Sequence, residues 1–280
     1  MSGRGPRRLR QVDVFGAEPY AGNPVAVVLD SDGLDADEMQ RFASWTNLAE
    51  TTFVLPPSRE GADYRVRIFT PVVELPFAGH PTLGTCHAWL EAGGTSRPDG
   101  SVVQECGAGL VEIRRTDAGL AFAAPPLVRS GAVEPSVVDR IASTLQIERA
   151  QIVDSQWVDN GPGWVAALLP SADAVLAVRP GAVDLAVGVV GAYGEDAPAA
   201  FEVRAFVPTD GSTVEDPVTG SLNASLAQWL LRTGRAKAPY VASQGTALGR
   251  SGRVHVAADA DDRIWVAGAT VTCLAGEVDL

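Results

Sequence analysis

Three short stretches hold the residue types that can move a proton or seat an anion. Glu50 lies in Asn47-Leu-Ala-Glu-Thr-Thr-Phe-Val-Leu55, where a helical pattern gives way to β-branched and apolar residues. A carboxylate ordinarily titrates near 4, too low for proton work at neutral pH, and an apolar setting raises it. Leu48, Phe53 and Val54 are the neighbours expected to supply that setting. On spacing alone the plainer reading of Glu50 is a strand-edge carboxylate in solvent. His80 opens an apolar helix in the stretch Val73–Gly93. There the helix dipole opposes a positive ring, so a neutral imidazole able to hydrogen-bond is expected, with a capping or packing histidine as the plain alternative. Asp216 precedes Pro217 in the stretch Val214–Gly234, with Ser221 five residues on. It reads either as a turn residue or, opposite Glu50, as a binder of a substrate amine or hydroxyl.

The stretches around His80 and Asp216 are versions of one plan. With Gly79 set on Gly220, an offset of 141, Val73 meets Val214, Glu74 meets Glu215, Pro76 meets Pro217 and Gly93 meets Gly234. Each follows a segment ending Phe-x-Pro, Phe69-Thr-Pro71 and Phe206-Val-Pro208. An offset near half the chain predicts two similar lobes. Each copy puts a glycine where the backbone enters the first turn of a buried helix. The first N–H groups there lack internal partners, and the dipole favours anions. Two such helix starts can face one small carboxylate-bearing substrate across a cleft; two ordinary helices with glycine entries would look the same.

The elements that must position these residues alternate between strand and helix patterns. Strands are expected at Leu9–Phe15, Pro24–Leu29, Tyr64–Thr70, Ser101–Cys106, Gly109–Arg115 and Gly119–Ala123, and a helix at Asp35–Trp45 with Met39, Phe42 and Ala43 on one face. Pro125-Pro126 marks the boundary between lobes. Beyond it the pattern gives a helix at Val133–Leu145, strands at Gln151–Val158, Gly163–Leu169 and Phe201–Val207, the second echo helix, and strands to Leu274. Ala172–Val178 and Val183–Val190 are elements of undecided type. This is an α+β pattern in both halves, mostly sheet with few helices.

Composition bounds the function. The 280 residues are enough for one large or two small domains. A formal net charge of -12 repels phosphate backbones and anionic membranes, which argues against a nucleic-acid or membrane partner. Three widely spaced cysteines, Cys86, Cys106 and Cys273, form no disulfide framework and point to a reduced, cytoplasmic setting. Residues 1–8 are expected to be a disordered leader, since no apolar run follows the arginines of Met1–Arg10. His80 and His87 are about 10 Å apart along a helix, too far to share a metal, and Cys86 adds no trusted ligand spacing; no metal is expected. The sequence holds no G-x-S-x-G, G-x-G-x-x-G, G-K-[ST] or H-E-x-x-H motif, and its one lysine, Lys237, would have to carry any pyridoxal phosphate.

Taken together, Asp13-Val-Phe15, Gly22-Asn-Pro-Val-Ala-Val27, Asn47-Leu-Ala-Glu-Thr51, Phe69-Thr-Pro71, Gly79-His80, Glu215-Asp-Pro-Val-Thr-Gly-Ser221, Gln244-Gly245 and Gly249-Arg250 resemble the phenazine-biosynthesis PhzF-like isomerase family, in family order across nearly the whole chain. The resemblance implies the diaminopimelate-epimerase-like fold: two similar lobes, each a curled, mostly antiparallel or mixed sheet, barrel-like around a central helix, with the active site between them. The lobes are expected at residues 9–124, completed by 268–280, and at 125–267. The resemblance also implies a cofactor-free proton-shift isomerase, a homodimer acting on a small carboxylate-bearing substrate. It places the catalytic roles on Glu50, His80 and Asp216, and substrate contacts on Gly79, Gly220, Ser221 and Asn23. The related epimerases carry a cysteine just before each echo glycine, where this chain has Ala78 and Thr219. A two-thiol racemase is thereby excluded at this site, and one carboxylate shuttling a proton is expected. The substrate implied is trans-2,3-dihydro-3-hydroxyanthranilate or a similar molecule, with another conjugated or alkylated amino acid of secondary metabolism as the alternative. A catalytically silent binding protein on the same scaffold is the alternative from outside enzymology.

Overall fold

A computed structural model describes residues 5–209 and 212–280. The chain divides into two compact units. One comprises the described residues up to Ala123 together with Ala267–Leu280; the other is Ala124–Val266.

In the first unit the strands run in one continuous order of pairing. Thr270–Asp279 pairs with Pro6–Val14, which pairs with Asn23–Val28, all antiparallel. Asn23–Val28 runs parallel to Glu50–Leu55, which is antiparallel to Tyr64–Phe69. Tyr64–Phe69 runs parallel to Val102–Cys106, and antiparallel pairing continues to Gly109–Thr116 and Gly119–Ala123. A two-residue strand, Glu74–Leu75, folds back on Tyr64–Phe69. The Gly79–Glu91 helix packs against strands from both ends and the middle of this sheet. It is buried nearly all round, as a helix without a polar face must be. Gly84 lets it come close: a Cβ there would lie 2.4 Å from Val25 Cγ1. On the other face of the sheet, the Ala36–Thr46 helix lays Met39, Phe42 and Ala43 on Val28, Phe53 and Phe69.

The second unit repeats this order. Arg129–Ala132 pairs with Asp154–Asp159, then Val165–Leu168, with Val187–Ala192 parallel to the latter. Phe201–Thr209 follows antiparallel, Tyr240–Gln244 parallel to it, and Gly252–Ala258 antiparallel again. Ser212–Asp216 folds back on Phe201–Thr209 as Glu74–Leu75 does on its neighbour. The Gly220–Arg232 helix is buried like its counterpart. Here the close approach is made by the sheet, since a Cβ on Gly188 would lie 2.4 Å from Leu222 Cδ1. The Pro135–Leu145 helix and the short Ala172–Ala177 helix close the outer core around Ile141, Leu145, Trp157, Val175 and Phe206.

Four expectations change. The leader expected over residues 1–8 lies outside the described residues at 1–4, and from Pro6 the chain is already strand. Arg8 faces Glu277 in an antiparallel ladder with the last strand and grips Asp30 at 2.7 Å, and this pairing carries the last strand to Asp279 instead of Leu274. The sheets are open and not barrels: among the described residues no ladder joins Gly119–Ala123 back to Thr270–Asp279. Ala172–Ala177 is a helix, capped by Ser171, and the second undecided segment becomes strand from Val187. Finally, the segments before the echo helices are hairpin strands as well as turns.

Candidate active site

In the first unit, local turn chemistry delivers three polar side chains to one end of the sheet. Asp13 is buried, and its Oδ2 accepts the Gly22 N–H at 2.7 Å. Gly22 must be glycine, because a Cβ would lie 2.0 Å from the Val14 carbonyl oxygen. This turn sets Asn23 at the first position of its strand. The Ala36–Thr46 helix starts on an Asp35–Glu38 capping box and stops at Asn47 in the left-handed conformation, φ 54°. Three residues later Glu50 opens its strand, and it pairs with Val25, two residues along and on the same face as Asn23. His80 is the second residue of the echo helix.

These three meet. His80 Nε2 lies 3.3 Å from Glu50 Oε2, and Asn23 Nδ2 lies 3.3 Å from His80 Nδ1. Burial pushes the His80 pKa down to about 3, with the Pro24 backbone opposing it, so the ring is neutral at neutral pH. Asn23 stands beside Nδ1, and Nε2 faces Glu50 Oε2 across the 3.3 Å contact without a formed hydrogen bond between them. Glu50 itself is 16 % exposed, open enough to meet a small molecule. Its surroundings differ from expectation in one respect. Phe53 packs with Phe42 and Phe69 on the outer face, while Thr52 bonds Thr85 of the central helix. Alternation along the strand therefore puts Glu50 on the helix side, away from Phe53.

In the second unit the corresponding end holds a different set. Asp216 ends the hairpin strand opposite Ala205, and its Oδ2 accepts from Thr219 Oγ1 at 2.6 Å. Gly220 and Ser221 are the first two residues of the helix. Neither echo helix is capped by the side chain of the residue before it, Ala78 or Thr219. Trp164 Nε1 donates to Ser221 Oγ at 3.1 Å, which leaves the serine proton available to a ligand, and Asn160 Nδ2 donates to the Ser221 carbonyl at 2.9 Å. Sequence reasoning passed over Asn160 and Trp164, and gave Thr219 no role beyond standing where a thiol is absent. The only signal for the first two was the turn Asp159-Asn-Gly-Pro162, whose asparagine corresponds to Asn23: each reaches the second residue of its own echo helix.

The duplication is exact in register but not in chemistry. The first ladder pair of the parallel strands is Val25 with Glu50 in one unit and Val165 with Val187 in the other. The hairpin pairs are Ile68 with Leu75 and Ala205 with Asp216. Each unit's carboxylate thus stands where the other has an apolar side chain. Glu50, His80 and Asn23 are brought together, with Gly79 adjoining, and so are Asp216, Gly220 and Ser221. Among the described residues no group of three or more His, Cys, Asp or Glu is placed to hold a metal ion.

A family model for phenazine biosynthesis-like proteins (PhzC-PhzF) matches residues 12–276. Antisense-enhancing sequence 1 of Schizosaccharomyces pombe is 35% identical over 291 residues, covering 96% of this chain and 97% of that protein. The trans-2,3-dihydro-3-hydroxyanthranilate isomerase of Pseudomonas fluorescens is 35% identical over 257 residues, covering 85% and 86%. The crystal structure of a Bacillus anthracis phenazine biosynthesis protein of the PhzF family matches with a TM-score of 0.84 at 25% identity, over 99% of this chain and all of that one. Fold and relatives define an α+β isomerase with an epimerase-like architecture. The chain belongs to the phenazine biosynthesis-like, PhzC-PhzF family.

Proposed function

We propose that this isomerase shifts a proton between carbons of an unsaturated, amino-acid-derived substrate without a cofactor, and that trans-2,3-dihydro-3-hydroxyanthranilate or a close analogue is that substrate. The observation that carries the reading is the Glu50–His80 contact of 3.3 Å, a half-buried carboxylate beside a neutral imidazole. The relative from Pseudomonas fluorescens supports the substrate class.

As a carboxylate, Glu50 takes a proton from carbon; the C–H electron pair moves into the conjugated system. As the acid it then returns a proton to another carbon, so no net charge or redox equivalent is consumed. His80, neutral and in contact with the carboxylate, hydrogen-bonds to substrate polar atoms that approach it. Gly79 and Gly220, at the uncapped helix starts, together with the Ser221 hydroxyl, bind the substrate carboxylate. Asp216 binds its amine or hydroxyl. Asn23, fully buried behind His80, acts through the imidazole and not on the substrate. General acid–base catalysis of this kind gives about 10²–10⁴-fold, and orientation supplies the rest. A homodimer working in the cytoplasm on secondary metabolites completes the proposal.

The test is proton NMR of the dihydro-hydroxyanthranilate in D2O with wild type and Glu50→Gln. Conversion by wild type, with loss of at least about 10³-fold in the variant, is the expected result. Near wild-type turnover by Glu50→Gln would remove the base. No conversion by either protein would move the search to other unsaturated amino acids.

A further inference from the structure

Gln244 ends the Tyr240–Gln244 strand, fully buried, beneath the loop that carries Asp216 into the second echo helix. All four of its amide positions are used. Oε1 accepts the Thr219 N–H at 3.0 Å and Asn223 Nδ2 at 2.8 Å. Nε2 donates to the Asp216 carbonyl at 3.1 Å and to Thr219 Oγ1 at 2.9 Å. A side-chain amide nitrogen can only donate, so Thr219 Oγ1 must accept there. Its own proton is then committed to Asp216 Oδ2, 2.6 Å away. The direction of the chain Gln244–Thr219–Asp216 is fixed by donor and acceptor counting alone.

The first unit shows that the fold does not need this chain. The turn after its matching strand packs on Pro76, as the turn after Gln244 packs on Pro217: a Cβ on Gly107 would lie 2.8 Å from Pro76 Cα, and one on Gly245 2.8 Å from the Pro217 oxygen. By ladder position Cys106 stands for Gln244 and Leu75 for Asp216, and as the residue before the helix Ala78 stands for Thr219. The same helix entry is built there with none of the three polar groups. They change together, and they are present where a carboxylate must be aimed.

We propose that Gln244 and Thr219 are positioning residues for Asp216, a relay that keeps its carboxylate ionised and fixed in one rotamer for a cationic or hydroxylic group of the substrate. The relay rests on the proposed role of Asp216 in binding. It also assigns the residue found where the related epimerases carry a thiol: Thr219 serves Asp216 and takes no proton from carbon.

The experiment follows the Asp216 carboxyl by ¹³C NMR across pH in the full-length protein, with the resonance assigned from Asp216→Asn. Thr219→Val keeps the shape and removes the hydroxyl; Thr219→Ser keeps the hydroxyl and loses the methyl. Thr219→Val and Gln244→Met are expected to move the titration midpoint up by about 1–2 pH units, the size of one lost hydrogen bond to the charged form. Thr219→Ser is expected to stay at the wild-type midpoint. A Thr219→Val protein that folds and titrates like wild type would overturn the proposal, as would a Ser variant shifted as far as Val. Should Gln244→Met fail to fold, the two Thr219 variants decide alone. Turnover of dihydro-hydroxyanthranilate is read in parallel, where Thr219→Val should raise KM about tenfold and change kcat less than about threefold. Lack of turnover by wild type would count against the substrate and leave the titration to judge the relay.

Discussion

His80 is charged so reluctantly that the protein's acid stability should depend on it. Its folded pKa of about 3 lies below the ordinary 6.5. Between those values the unfolded chain binds a proton that the folded chain refuses, so the contribution is intact above pH 6.5 and is lost as pH falls toward 3. At pH 4.5 the loss amounts to about 3 kcal/mol relative to neutral pH. Urea unfolding of wild type and His80→Asn at pH 7 and 4.5 should show the wild type losing about that much more than the variant. Equal losses would mean that His80 is not held neutral by burial. The proposed roles of Glu50 and His80 share this origin: the helix start that buries the ring also sets it beside the carboxylate.

At the scale of elements, each hairpin that leads into an echo helix is clamped by the same bidentate pair. Arg67 grips Glu74 through Nε and a terminal nitrogen at 2.7 Å each, and Arg204 grips Glu215 at 2.9 and 2.7 Å. Each arginine also lies over a phenylalanine, Phe69 or Phe206, at about 5 Å. Burial separates them. The first pair is 27 % and 42 % exposed, the second 5 % and 13 %, with Arg204 also donating to the Val175 and Val178 carbonyls. Arg67→Met should therefore cost about 0–1 kcal/mol, whereas Arg204→Met strands a buried carboxylate and two carbonyls and should cost about 3–5 kcal/mol. Chemical denaturation of the two variants checks the ranking, and equal costs would refute it. The Arg204 variant should also loosen the strand that ends at Asp216, visible as faster amide exchange from Ser212 to Asp216. The two hairpins differ in length by four residues, three positions from Pro71 to Glu74 against seven from Pro208 to Glu215. That difference explains why the strands repeat at an offset of 137 and the helices at 141.

At the scale of the whole molecule, the first unit is assembled from both ends of the chain. Its ladder pairs Pro6–Val14 with Thr270–Asp279 over nine residue positions, the longest among the described residues. His87 of the central helix fastens the same strand through Thr270 and Thr272, at 2.9 and 3.1 Å. A chain ending at Gly268 should lose protection against hydrogen exchange throughout residues 6–123. Residues 124–266 have their own core and should keep theirs. Uniform loss in both units, or none in the first, would show that this strand is not what completes the unit.

The sequence by itself determined the α+β class, the internal echo, and the local positions of the polar groups. Those follow from short-range rules: capping at Asp35, the left-handed stop at Asn47, glycine entries at Gly79 and Gly220, and alternation along strands. Glu50 was legible because a helix stop and a strand start bracket it. What only the tertiary structure decided are pairings between residues far apart in the chain. The basic segment at Pro6–Arg10 becomes strand because a segment over 260 residues later pairs with it. Nothing near Asn23 in sequence reveals that it orients His80, and nothing near Thr219 reveals that Gln244 turns its hydroxyl toward Asp216. Hydrogen-bond direction depends on which donor meets which acceptor in space, and periodicity along a chain does not encode that.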